Sequence, residues 1–363
     1  MAQQFLSYLE ISREDLAFNA RAITAAMDVP VIGVVKCDGY GVSSPEAARA
    51  WVSAGVTMLA VSDPAEAFAL RDHGFTDQDI LLLAPVGDPE LVDALIGAGI
   101  ILTVSGPACA KLYASRGGEN PVRAHVAVDT GMGRFGCRWD DIENLLAVYR
   151  TPGLSCEGIF SHFSASFEAK NTQTALQLGR FLDAISALGA KGVNVGMRHM
   201  ANSCAALRFP ETRLDAVRVG SALVGRLPVP VPVSLRNVGV FKTQVVDRRV
   251  LKKGDTTGYA SICKMKEDTD VAVVAIGRHN GFGLVKRPER LRPLDLLRAV
   301  KQALDLYRHP PAVKYGDKIL PVVGRIGTQY TLVRAAGTDL RPGSVVNAQV
   351  DMLFPNPHKV YID

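Results

Sequence analysis

Val31-Ile32-Gly33-Val34-Val35-Lys36-Cys37-Asp38-Gly39-Tyr40-Gly41 is the stretch from which the fold is read. The five small or branched apolar residues at its start predict a strand buried on both faces. They deliver Lys36 to the strand's end, and a turn punctuated by Gly39 and Gly41 follows. A lysine in that place either snorkels its ammonium into solvent or is held desolvated as the neutral amine, the form that attacks carbonyls. The rest of the chain decides between the two.

Outward from this strand, apolar runs alternate with helical patterns. Strands are expected at 8–11, 58–61, 80–84, 100–104, 123–128, 156–160, 193–197 and 216–219. Helices are expected from Ser12 and over 45–54, 64–72, 89–98, 107–115, 139–149, 172–188 and 203–208, several opened by proline and followed by glycine. About eight alternations in roughly 215 residues predict an α/β fold, a (β/α)8 TIM barrel over 8–227. An open doubly wound sheet is the runner-up, weakened because no G-x-G-x-x-G follows a first strand.

The texture changes after residue 227. Pro228, Pro230 and Pro232 mark a linker. Short strands are expected at 243–246, 271–276, 319–323 and 331–335, giving a mostly-β second domain over 228–363, joined by 1–7. Leu294, Leu297, Val300, Leu304 and Tyr307 recur at helical spacing, so a helical insertion near 291–307 interrupts it.

At 363 residues, with 48% hydrophobic and 21% charged content, the chain has the size of two globular domains. The net charge of +5 is spread out; Arg248-Arg249, Lys252-Lys253 and the 286–292 run are modest clusters, so no nucleic-acid partner is expected. Residues 1–10 lack the form of a secretory signal, and no window approaches the ~20 apolar residues of a membrane span. The six cysteines include no C-x-x-C pair, which argues for a reducing, cytoplasmic location and against a metal site or disulfide frame.

In a barrel of this kind chemistry sits at the C-terminal ends of the strands. Five polar groupings fall there: Lys36; Asp129-Thr130-Gly131-Met132-Gly133-Arg134; Ser161-His162-Phe163; His199-Met200-Ala201-Asn202-Ser203; and Arg218-Val219-Gly220-Ser221. Singly, His162 or His199 is also what a hydrogen-bonded core histidine looks like. Together they suit an aldehyde cofactor held on the lysine. The Gly220 and Ser221 amides, the Ser203 hydroxyl and Tyr40 suit its phosphate. Arg218 or His162 suits its ring, and Arg134 a substrate carboxylate. That is the composition of a pyridoxal 5'-phosphate site.

The segments VVKCDGYG, DTGMGRFG, FSHFSAS, HMANSCAALRFP and AVRVGSALVG carry a plain resemblance to the alanine racemase family, fold-type III pyridoxal-phosphate enzymes. TTGYAS, VAVVAIGRHNGFG and VVGRIGT match more loosely, so the resemblance spans nearly the whole chain. It implies that Lys36 forms the Schiff base and is one catalytic base, and that Tyr40, Ser203, Gly220 and Ser221 hold the phosphate. It implies that Arg218 donates to the pyridine nitrogen, that His162 flanks the ring and orients Arg218, and that Arg134 sits by the substrate carboxylate. It also implies a small amino-acid substrate and a head-to-tail homodimer in which one subunit's β-domain closes the other's site.

The second half departs from the family. The family's opposite-face base is a tyrosine in a Gly-Tyr-x-Asp-Gly turn; here the turn reads Gly277-Arg278-His279-Asn280-Gly281. Arg278 cannot be an ordinary base at neutral pH, so His279 or a water is the expected substitute. The family's Ile-Cys-Met-Asp substrate loop is Ile326-Gly327-Thr328-Gln329, which makes Thr328 a substrate-binding candidate. The family's arginine-supporting lysine is Ala127, and the C-terminal phosphate tyrosine has no counterpart in 350–357. Three functions follow: an amino-acid racemase with an altered second base and a substrate other than alanine; a one-base enzyme such as a decarboxylase, aldolase or other lyase; or a non-catalytic pyridoxal-phosphate-binding protein.

Overall fold

The computed structural model describes residues 5–168, 170–284, 293–308, 311–350 and 357–363. Strand β1 (Ser7–Ser12) opens the chain. After it, α1 (Arg13–Ala26) begins a run of strand–helix pairs. The strands are β2 (Val31–Val34), β3 (Met58–Val61), β4 (Asp79–Leu82), β5 (Leu102–Val104), β6 (Val122–Asp129), β7 (Leu154–Phe160), β8 (Met197–His199) and β9 (Val217–Val219). The helices are α2 (Ser44–Ser53), α3 (Pro64–Asp72), α4 (Pro89–Gly97), α5 (Pro107–Ala114), α6 (Ile142–Tyr149), α7 (Thr172–Gly189) and α8 (Ser203–Arg208).

All eight strands from β2 to β9 pair in parallel. Single bridges, Leu81 to Ile101 and His199 to Ala216, join the two arcs and close the ring, so the fold is the expected (β/α)8 barrel. Ile32, Val34, Met58, Ala60, Leu81, Ile101 and Ala216 pack inside it as a core. Aspartates cap three of the helices: Asp63 accepts from the Ala65 amide and Asp88 from the Leu91 amide, each at 2.8 Å and with proline following at the first helical position, and Asp141 accepts from the Asn144 amide at 3.2 Å.

The second compact unit is residues 1–12 with 239–363, the barrel unit being 13–238. Sequence reading put 8–11 in the barrel; instead β1 pairs antiparallel with the long strand β10 (Gly239–Leu251) and parallel with the last strand, β16 (Lys359–Ile362). Local pattern reports that a segment is a strand, not which strand it pairs with. The other elements are β11 (Thr269–Val274), α9 (Pro293–Arg308), β12 (Ala312–Tyr315), β13 (Lys318–Pro321), β14 (Thr331–Arg334) and β15 (Val345–Ala348). The sheet runs β13-β12-β15-β10-β1-β16, and β11 branches from β10 to pair with β14. Phe241, Val274, Ile276, Phe282, Val313 and Val333 form its core. The predicted helical insertion is α9, whose Leu297, Val300 and Leu304 are exposed. The 286–292 basic run and residues 351–356 lie outside the described residues. Among the described residues no helix is long and apolar enough to cross a membrane.

Candidate active site

Strand β2 is buried throughout, and the Val35 amide continues its ladder by donating to the Ala60 carbonyl at 2.9 Å. The chain then does something the sequence did not announce. Cys37, Asp38, Gly39 and Tyr40 have φ of 54°, 51°, 63° and 59°, and Gly41 follows at 89°. This is one turn wound in the left-handed sense, costing about 1–2 kcal/mol for each residue that carries a Cβ. Its supports are specific. The Gly39 amide donates to the Val35 carbonyl, the Ser44 amide to Asp38 Oδ1 and the Ser44 hydroxyl to the Val35 carbonyl, each at 2.9 Å. The turn brings Lys36 and Tyr40 to one cavity of about 360 Å³.

Arg134, His162, Ser203, Arg218, Gly220 and Ser221 line the same cavity. All eight barrel residues singled out in the sequence are thus brought together. Ser203 Oγ, near the start of α8, accepts from the Gly220 amide at 3.1 Å and the Ala222 amide at 3.4 Å. A Cβ on Gly220 would run into the Tyr40 phenol. Burial holds that phenol well above its ordinary pKa, the nearby Cys37 and Glu66 add to this, and the Ser221 amide donating to it pulls the other way.

Arg218 is buried within the barrel. Nη1 donates to the His199 carbonyl and to His199 Nδ1, both at 2.9 Å. Nη2 donates to the Ser161 carbonyl at 2.6 Å and to His162 Nδ1 at 3.2 Å. His199 Nε2 lies 2.8 Å from His125 Nδ1. A guanidinium only donates, so it fixes the whole chain of tautomers. His199 and His162 must accept at Nδ1 and carry their proton on Nε2, and His199 Nε2–H then donates to His125. All three imidazoles are neutral. Burial first, then the positive charge of Arg218, pushes His125 to about 4, His162 to about 3 and His199 well below its ordinary value. Burial and the charge of Arg134 push Arg218 down to about 9, which leaves it protonated at neutral pH.

Sequence reading missed His125 and Gln177. His125 stands opposite Gly158 in the β6–β7 register, and a Cβ on Gly158 would meet the His125 ring at 2.7 Å. The only trace in the sequence is a polar residue inside an apolar strand. Gln177, fully buried on α7, donates to Thr130 Oγ1 at 3.2 Å and to the His162 carbonyl at 3.0 Å, and accepts from the Ser164 amide at 3.0 Å. It ties the loop leading to Arg134 to the loop carrying His162. Asp129 Oδ1 gathers the Gly131, Met132 and Gly133 amides, which shapes the Arg134 loop. Ala127, where a supporting lysine was looked for, is buried.

The remaining candidates lie in the β-rich unit. Arg278 and Thr328 share a second cavity of about 550 Å³; His279 is exposed and does not line it. The Arg278 and His279 amides donate to the Gly327 and Thr328 carbonyls, each at 2.9 Å.

The barrel residues fit pyridoxal phosphate. A glycine cradle, main-chain amides and the Ser203 and Tyr40 hydroxyls suit a phosphate; a buried guanidinium whose Nε has no protein acceptor among the described residues suits a ring nitrogen. Gly220 has φ −136°, so Gly220→Ala introduces no backbone strain and its whole effect is the clash with Tyr40. We expect a loss of about 1–3 kcal/mol in urea unfolding and weaker retention of pyridoxal phosphate through gel filtration. Unchanged retention would mean the cradle does not hold the phosphate.

Residues 11–228 match the family model for the alanine racemase N-terminal domain. The chain is 30% identical over 341 residues to an alanine racemase of Clostridium tetani, covering 89% of this chain and 88% of that protein. It is 33% identical over 297 residues to one from Desulfosudis oleivorans, covering 77% and 75%. Its fold is similar to that of the Clostridium difficile 630 alanine racemase, with TM-score 0.86 at 24% identity over 99% of this chain and 96% of that one. It is similar too to that of a histidine racemase from Leuconostoc mesenteroides, with TM-score 0.82 at 21% identity over 99% and 98%.

Proposed function

The chain belongs to the alanine racemase family, and from that premise we propose that it racemises an amino acid other than alanine, using a second base that is not the family tyrosine. It is an amino-acid racemase of the pyridoxal-phosphate-dependent class; the substrate and the second base are what is proposed. The observation that carries the proposal is Arg278 in the place of that tyrosine. A guanidinium does not take a proton at neutral pH, so the opposite-face transfer falls to another group of the Arg278 cavity, which Tyr259 lines and His279 does not, or to a water. The fold hosts a histidine racemase, so the scaffold is compatible with a side chain larger than methyl.

The chemistry the bound cofactor supplies is electron withdrawal from the substrate α-carbon, which acidifies its proton. Lys36 Nζ moves that proton on one face. Tyr40, Ser203 and the Gly220 and Ser221 amides hold the phosphate. Arg218 Nε–H would face the ring nitrogen with a donor that stays protonated. Neutral His162 and His199 hold that guanidinium from behind. Arg134 takes the substrate carboxylate. The assembly proposed is a head-to-tail homodimer, the β-rich unit of one copy completing the site of the other.

The test is incubation of the cofactor-loaded protein with single-enantiomer amino acids in deuterium oxide. Inversion with α-deuterium uptake is expected for at least one amino acid, faster than for alanine. Exchange without inversion would remove the second base and favour one-face chemistry, a decarboxylase or lyase in which the permanent charge of Arg278 stabilises a developing anion.

A further inference from the structure

Arg134 takes its direction from a loop with little stiffness of its own. Residues 130–136 follow the end of β6, and Gly131, Gly133 and Gly136 all take positive φ there. Arg134 itself is exposed and lies over the ring of its neighbour Phe135, 4.7 Å from the centroid. Buried Ala127 lends the loop no polar side chain from β6. Asp129 Oδ1 closes the start of the loop on itself through the Gly131, Met132 and Gly133 amides, which shapes the turn without fixing it to the rest of the barrel.

Helix α7 supplies that attachment. Among the described residues it lines no part of the barrel cavity, yet Gln177 and Arg180, three residues apart on one face, both reach Thr130. Arg180 Nη1 donates to the Thr130 carbonyl at 3.0 Å, and Gln177 Nε2 donates to Thr130 Oγ1 at 3.2 Å. The second Nε2 proton goes to the His162 carbonyl at 3.0 Å. Gln177 Oε1 accepts from the Ser164 amide at 3.0 Å and the Ser164 hydroxyl at 2.9 Å. The Ser164 amide only donates and the His162 carbonyl only accepts, so the side-chain amide has one orientation. Its two protons and two lone pairs are all used, at a position that is fully buried. Thr130 Oγ1 keeps its own proton for Ser161 Oγ, 2.8 Å away, and the Ser161 carbonyl accepts from Arg218 Nη2 at 2.6 Å. Packing alone would be served by an apolar side chain of the same size; four bonds to two loops serve alignment.

We propose that Gln177 is a positioning residue for Arg134: acting through Thr130, with Arg180 beside it, it fixes the Arg134 loop against the loop that carries His162. The guanidinium fork meets a carboxylate through two parallel N–H···O bonds, a geometry that tolerates little displacement. A shift of about 1 Å in the loop is enough to cost the contact most of its value. The inference rests on the reading in which Arg134 takes the substrate carboxylate; the anchoring of the loop by α7 does not.

The experiment uses the full-length, cofactor-loaded protein and two probes, alanine and ethylamine, which is alanine without its carboxylate. Calorimetric affinities are measured for the parent, Arg134→Gln, Gln177→Met and Thr130→Val, and amide hydrogen exchange over residues 130–136 is followed on the same samples. The parent should bind alanine at least about tenfold tighter than ethylamine, and Arg134→Gln should bring that ratio below about threefold. Gln177→Met should lower the ratio at least about threefold and speed exchange of the loop amides at least about tenfold. Thr130→Val, which leaves α7 intact, should reproduce part of both effects, and the double variant should add little to Gln177→Met. Should Gln177→Met not fold, Thr130→Val carries the same two readouts. Faster loop exchange with an unchanged ratio makes Gln177 a structural residue only and overturns the proposal, as does unchanged exchange. A preference for alanine that survives Arg134→Gln, or is missing in the parent, removes the carboxylate reading of Arg134 and the positioning role with it. Failure of that reading thus shows in the parent and Arg134→Gln, and failure of this inference alone shows in Gln177→Met and Thr130→Val.

Discussion

Lys36→Ala is expected to abolish the absorbance near ~420 nm of the cofactor-loaded protein and to lower racemisation by at least about four orders of magnitude. The two roles proposed for Lys36, covalent anchor and one proton carrier, would vanish together, and among the described residues no other lysine lines the barrel cavity. The fold should survive. Lys36 forms no ion pair with a carboxylate among the described residues, so its removal breaks none. The melting temperature is therefore expected within a few degrees of the parent, which separates lost chemistry from lost structure. A small primary amine added from solution should restore part of the proton transfer. A variant that keeps the ~420 nm band would detach Lys36 from the cofactor.

Acid is expected to unfold the barrel well before it protonates the surface carboxylates. In the unfolded chain each imidazole takes a proton near pH 6.5. In the barrel His125 resists until about 4 and His162 until about 3, with His199 moved the same way. Between those limits the unfolded state binds more protons than the folded one, so stability is full above about pH 6.5 and is lost as pH falls toward 4. His125 alone contributes on the order of 3 kcal/mol of that loss. The ion-paired carboxylates Asp93, Asp140, Asp215 and Asp247 are held below their ordinary values by arginines, so they titrate at still lower pH and leave the window to the histidines. Urea unfolding at pH 7.5, 6 and 5 reads the slope. His125→Asn keeps an acceptor for His199 and removes one titrating group, so it should bind about one proton fewer on unfolding. An unchanged slope would mean that His125 is not held neutral.

How much of this was legible follows from the physics of each part. Barrel strands buried on both faces write themselves as apolar runs, so 58–61 and 64–72 were read to the residue. The strand expected at 193–197 is instead Met197–His199, because Gly196 turns at φ 71° where its Cβ would strike the Glu157 carbonyl. The cofactor cradle was visible because glycines, a hydroxyl and a lysine at strand ends are chemically distinctive. The relay behind Arg218 was not, because His125 and Gln177 acquire meaning only from partners 74 and 47 residues away. The left-handed turn was hidden by Cys37 and Tyr40, whose side chains disfavour positive φ. In the β-rich unit, β12, β15 and β16 are four residues each, too short to show alternation.

Strand β1 has a consequence for biosynthesis. Its neighbours in the sheet are made roughly 230 and 350 residues after it, at Gly239–Leu251 and Lys359–Ile362. At usual elongation rates the barrel sequence is complete roughly 6–24 s before β16 is made. Until β10 is made, Leu9 and Ile11, fully covered in the finished protein, have no sheet to enter. An early segment is thus among the last to find its place, and the nascent chain carries an unpaired apolar strand until Gly239–Leu251 has been made.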